Sequence, residues 1–220
     1  WGGSSSENSS PEAIEAKGTI TINGGFVYAK SADDAINAAG DLTINGGCVC
    51  AYATNNDGID ANGNCYIKGG LVYAIGSTSP EVAIDANTEE GKKLYISGGT
   101  VIAIGNLESG ASITGGMAKQ TTSWTAQKWY ALYNGDQLVA AFQTPAKSTS
   151  SGGGGGPGGG GPGGGGGSSQ KMIVYTSSTP ALTYGVTPGG TSILNGMVYY
   201  PASVSGGSSV SLSNNSSNGW

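Results

Sequence analysis

Four near-copies of one phrase fill residues 12–105, and this repetition limits the fold more than any other feature. The copies read AIEAKGTITINGGFVYAK, AINAAGDLTINGGCVCAY, GIDANGNCYIKGGLVYAIG and AIDANTEEGKKLYISGGTVIAIG. Their anchoring residues Ile14, Ile36, Ile59 and Ile84 are spaced by 22, 23 and 25 residues. The Gly-Gly pairs 24–25, 46–47, 69–70 and 98–99 keep the same beat, and the longer fourth copy takes its extra residues before Leu94. A period in the low twenties, built from short strands and glycine turns, is the signature of a β-solenoid in which each copy is one coil.

Alternation within each copy assigns faces. Ile20 and Ile22 share one side, and Leu42/Ile44, Cys65/Ile67 and Leu94/Ile96 take the same places in later copies. After the glycines, Val27/Ala29 match Val49/Ala51, Val72/Ala74 and Val101/Ala103. With the Ile14/Ala16 series, these make three inward stripes per coil, stacked like over like at about 4.8 Å. Burial of the apolar ladders holds the stack together.

The outward positions after the glycines are also apolar. Phe26, Cys48, Leu71 and Thr100 form one row; Tyr28, Cys50, Tyr73 and Ile102 the next; Lys30, Tyr52, Ile75 and Ile104 a third. A face this apolar is too large to leave wet. Either the C-terminal part of the chain or another subunit covers it, the preferred expectation, or Phe26, Tyr28, Tyr52 and Tyr73 form a platform for sugar rings or for assembly.

From Ser109 the repeat decays. SITGGMAKQ is a partial fifth coil, and Asn134-Gly135 between alternating runs signals a hairpin. Further strands are expected at 170–176, 192–200 and SVSLS, so residues 117–213 read as an antiparallel β unit that caps or flanks the coils. It is interrupted at 152–167 by GGGGGPGGGGPGGGGG, a flexible linker by composition or, if ordered, a set of packed extended helices that points to assembly. Residues 1–11 read as a flexible arm and 214–220 as a low-complexity tail.

Charge prunes the functions. Nine lysines with no Arg and no His stand against fourteen acidic residues, a net charge of -5. No basic stripe exists to meet phosphates, which argues against nucleic acid. Ser-His and Cys-His nucleophile pairs cannot be assembled. No apolar run is long enough to span a membrane. The start lacks a signal peptide's basic and apolar regions, so a mature form or a fragment of a longer exported protein is expected. Three cysteines leave at least one unpaired, and without His or CxxC spacing a metal site built on them is improbable.

The acidic residues gather at one corner, beside the anchoring Ile. Glu12, Asp34 and Asp57 make one row; Glu15, Asn37, Asp60 and Asp85 make the next, with Asp33 and Asn56 alongside. Carboxylates stacked about 5 Å apart repel one another unless a positive charge intervenes, and no lysine occupies these rows. Crowded carboxylate, amide and carbonyl oxygens suit Ca2+. The alternative is that Asp and Asn are simply turn residues; calcium is the preferred expectation.

The phrases DDAINAAGDLTINGG and NDGIDANG, with the INGG turns, closely resemble a bacterial family of extracellular β-helix carbohydrate-binding proteins related in shape to calcium-dependent pectate lyases. The resemblance covers residues 12–116 well and 117–213 loosely. It implies an all-β chain: a right-handed parallel β-helix of about four to five coils followed by a C-terminal antiparallel unit. It also implies an extracellular or cell-surface location and affinity for cellulose or acidic glycans. By motif match, Asp34, Asp57 and Asp60 are calcium ligands with Asn37 and Asp85 at equivalent positions, while Glu12 and Glu15 depart from the family's short side chains. Catalysis is not expected. A lyase needs a base beside the bound uronate, usually Arg or Lys, and the His and Arg of a polygalacturonase are absent. The remaining expectation is self-association, through open coil ends and the glycine tract, into a fibre or matrix.

Overall fold

The computed structural model describes residues 11–147 and 170–214. The expected arm up to residue 10, the Gly/Pro tract and the tail beyond residue 214 lie outside the described residues.

The chain is all-β, with a single short 3-10 turn among the described residues. The first three repeats each give three strands: β1 (Ile14–Ala16), β2 (Ile20–Ile22) and β3 (Phe26–Ser31); β4 (Ile36–Ala38), β5 (Leu42–Ile44) and β6 (Cys48–Ala53); β7 (Ile59–Ala61), β8 (Cys65–Ile67) and β9 (Leu71–Ile75). The fourth gives β10 (Leu94–Ile96) and β11 (Thr100–Ile104), and the partial fifth β12 (Ser112–Ile113) and β13 (Met117–Thr121). The fourth repeat's extra residues form the 3-10 turn Thr88–Glu90, where the Asn87 side chain accepts from the Glu90 N–H at 3.1 Å.

Equivalent residues stack in parallel register. Ile14 pairs with Ile36 and Ile36 with Ile59, while single bridges carry the first sheet on to Ile84 and Leu107. The second sheet, in the order β12-β10-β8-β5-β2, is wholly parallel. The inward stripes meet in one core, in which Ile36, Leu42, Ile44, Ile59, Ile67, Ile84 and Leu94 are fully buried.

The remaining strands are β14 (Trp129–Asn134), β15 (Gln137–Gln143), β16 (Met172–Thr176), β17 (Pro180–Tyr184), β18 (Thr187–Ile193), β19 (Val198–Ser205) and β20 (Ser208–Val210). All but β16 form a six-stranded antiparallel sheet, ordered β18-β19-β15-β14-β17-β20. The expected single strand over 192–200 is split: its ends belong to β18 and β19, and residues 194–197 turn between them, because Leu194, Asn195 and Gly196 all take positive φ.

An uninterrupted parallel helix is not what forms. β16 enters the third sheet antiparallel, between β11 and β13, and makes that sheet mixed. Its sequence explains the insertion. Ile173 and Tyr175 join the inner core while Met172 and Val174 join a second core on the opposite face. A strand apolar on both faces belongs where both are covered.

The second core answers the question of the apolar outer face. Cys50, Leu71, Tyr73, Ile75, Ile102 and Ile104 pack against Tyr130, Leu132, Phe142 and Leu182 of the antiparallel sheet. The C-terminal strands are the cover. Among the described residues, no helix is long and apolar enough to cross a membrane.

The glycine turns set how closely repeats can approach. Gly70 has φ +82°, and a Cβ there would lie 2.5 Å from the Gly47 carbonyl oxygen; Gly25, in the first repeat, has φ +84° but open space around it. Gly25→Ala should therefore cost about 1–2 kcal/mol, the left-handed penalty alone. Gly70→Ala should cost about 1–3 kcal/mol more, because backbone must also shift. Urea unfolding of the two variants measures the difference; equal losses would mean that the turns are not in contact.

Candidate functional site

The acidic corner lies where the chain passes from the third sheet into the first. Asp34 and Asp57 occupy equivalent places, and each carboxylate ties its repeat to the next. Asp34 Oδ1 accepts from the Asp57 N–H at 3.1 Å, and Asp57 Oδ1 accepts from the Val82 N–H at 2.5 Å. This is turn chemistry of the kind Asp supplies. Asn56 Nδ2 donates to Asp33 Oδ1 at 2.5 Å in the same manner.

The second row lies on the first sheet. Register places Glu15 beside Asn37 and Asn37 beside Asp60. The Ile59–Ile84 and Ile84–Leu107 bridges then bring Asp85 and Glu108 into line. Asn37 Nδ2 donates to Asp60 Oδ2 at 2.7 Å and to Asp34 Oδ2 at 3.1 Å, joining the rows. Asp60 is hydrogen-bonded to Asp85, and Asp85 to Glu108. Thr88 Oγ1 donates to Glu108 Oε1 at 3.0 Å. Glu108 was not anticipated, since it follows Leu107 in a decayed repeat; the signal was its place one residue after the anchoring position.

Electrostatics follows from this crowding. The only ion pair among the described residues joins Lys17 to Glu15, at the exposed end of the row. Burial, then the charge of neighbouring acids, pushes Asp57 up to about 8. Burial chiefly raises Asp60 to about 6, and burial with the Glu108 hydrogen bond raises Asp85 to about 9. Asp34 is raised by burial as well. Glu12 lies half-buried, and its Oε2 has no hydrogen-bond partner among the described residues. Among these residues, no three carboxylate or thiol side chains converge as they stand to hold a metal ion. The three cysteines are free and buried, and burial pushes the Cys50 thiol up to about 12.

The aromatic face divides in two. Phe26 is 70% exposed. Tyr28 and Tyr52 are half-buried, with the Lys30 ammonium 4.8 Å from the Tyr52 ring centroid. Tyr73 is not part of any open face. It is fully buried, packs edge-on against Phe142 at 5.5 Å, and donates its hydroxyl to the Gln143 carbonyl at 2.8 Å. The antiparallel sheet covers the later repeats fully and the first ones in part: Tyr28 and Tyr52 pack at the margin of the second core, and Phe26 stays exposed. A separate pair, Tyr66 and Tyr95, stacks on the outer side of the second sheet at 5.1 Å and 9°. The outward slots between Cys65 and Ile67 and between Leu94 and Ile96 could have revealed it.

A model of a family described as carbohydrate-binding domain-containing protein matches residues 2–55 of the 220. No curated protein and no solved structure matches the chain.

The raised carboxylates fix a pH dependence. The folded state holds protons that the unfolded chain, with Asp near 3.9, releases first. Without divalent ions, stability should therefore be fullest below about pH 4 and decline as pH rises through 6, 8 and 9. Asp57→Asn should lessen this decline, gaining on the parent at pH 8.5 and not at pH 4. Urea midpoints in chelator at the two pH values test it, and identical slopes for both proteins would contradict it.

Proposed function

We propose that this chain is an extracellular or cell-surface protein that binds polysaccharide without catalysis, with its repeats wound as a right-handed parallel β-helix over residues 12–116. On this reading residues 117–213 form a covering unit, and Ca2+ sits in the acidic ladder. The observation that carries the reading is the division of the aromatic face. The covering sheet leaves Phe26 70% exposed and covers Tyr28 and Tyr52 only in part, and these rings fall inside the segment matched by the carbohydrate-binding family model. Exposed aromatic faces beside hydroxyl and amide groups suit the apolar faces of sugar rings.

The oxygen donors of the ladder are of the kind calcium takes, and since no three of the described carboxylates converge as they stand, an ion would have to draw them together. The ladder is made of carboxylate and amide oxygens, it lacks a neighbouring lysine except at Glu15, and burial pushes Asp57 and Asp85 above neutral, so that they would otherwise hold protons. Asp34, Asn37, Asp57, Asp60 and Asp85 would hold the ion, with Glu12, Glu15 and the newly aligned Glu108 at the margins. Such an ion would replace the protons and tie successive repeats together. The non-catalytic reading is supported by the absence of His and Arg from the chain and by the use of Asp34 and Asp57 as backbone caps.

A second reading is favoured by the first repeat. Ile14 is 38% exposed, whereas its counterparts Ile36, Ile59 and Ile84 are fully buried, and no described strand pairs with the outer edges of β1, β2 and β3. Open edges of this kind recruit further strands, which supports a subunit that stacks into a fibre or matrix. The Gly/Pro tract would assist, as its composition suggests.

Two measurements test the reading. Affinity electrophoresis through gels containing a soluble cellulose derivative or polygalacturonate should show retardation in at least one; free migration in both would end the binding reading. Calcium at a hundredfold excess over Kd should add about 2.7 kcal/mol, or about 5–10 °C in Tm for a chain of this size. No shift and no calcium uptake would remove the metal.

A further inference from the structure

A groove of about 580 Å³ runs along the corner between the second and third sheets, walled on its far side by the antiparallel sheet. Its floor is the stack of glycine turns, including Gly47, Gly70 and Gly99, so much of what a ligand meets there is backbone. Phe26, 70% exposed, stands on the floor at the first repeat, and Tyr200, 42% exposed, stands on the opposite wall with Val139.

Three observations narrow the occupant. The floor repeats once per strand spacing, about 4.8 Å, which favours a polymer lying along the stack over a compact molecule. No lining residue is charged, although the chain carries 9 basic and 14 acidic side chains. A uronate or another anion would therefore lose its hydration without gaining a partner. The turns' backbone groups are already committed to one another: Cys48 N–H donates to Gly25 O at 2.8 Å, Leu71 N–H to Gly47 O at 2.9 Å and Thr100 N–H to Gly70 O at 2.8 Å. Between the stacked turns the floor thus presents no free backbone for a peptide to extend.

Resting on the glycan-binding reading above, we propose that this groove is the glycan site, that Phe26 and Tyr200 stack on successive sugar rings, and that the ligand is an uncharged pyranose polymer. The acidic ladder lies on a different corner, so calcium acts on the stack and not on the sugar.

Titration calorimetry with cellohexaose and with polygalacturonate tests this on the full chain. The parent should bind cellohexaose in calcium and, below the melting transition, in chelator. Phe26→Ala and Tyr200→Ala should each weaken it on the order of ten-fold with unchanged melting temperatures. Tyr200→Phe, which keeps the ring, and Tyr95→Ala, on another face, should bind as the parent does. Cellohexaose binding that ignores both ring deletions would overturn the groove while leaving the glycan reading intact. Binding of polygalacturonate alone would overturn the uncharged class. Binding of neither would remove the site and the reading together.

Discussion

Stacking of each residue directly over its copy in the next repeat is the constraint on which everything else in this molecule depends. At strand spacing, like meets like. For Ile36, Ile59 and Ile84 that is favourable, because each buries its neighbour's apolar surface. For the glycine turns it is a demand, since backbone rests on backbone with no room for a side chain. For Asp60, Asp85 and Glu108 it is a liability, offset only by shared protons or a bound cation.

The covering sheet is the second organising element, and it decides what the outer face can do. By burying Tyr73, Ile102 and Ile104 it converts most of an apolar surface into core. What it leaves open is confined to the first repeats and to the glycine corner. Phe26 is therefore exposed because the cover ends, and the groove exists because cover and corner do not quite meet. The two candidate sites lie on separate corners, one acidic and one uncharged, so on the proposed reading an ion and a sugar would bind at physically separate places.

Much of this was legible in the residues. The inward stripes, the register of Glu15, Asn37 and Asp60, the place of the fourth repeat's extra residues and the need for a cover all follow from period and alternation. The β16 insertion did not, because MIVYT looks the same as any strand buried on both faces. The break at Leu194 was hidden by a bulky residue taking a left-handed conformation. Tyr73 was misplaced because alternation gives the face of the sheet but not what lies over it. Glu108 was missed because the repeat had decayed around it.

Carboxyl carbon NMR of the chelated protein across the pH range tests the stacking most directly. If the acids are aligned and buried, at least two aspartate carboxyls should still hold protons above pH 6, in keeping with Asp57 near 8 and Asp85 near 9. If every aspartate titrates near 4, the side chains point apart into water and the stacked corner does not exist.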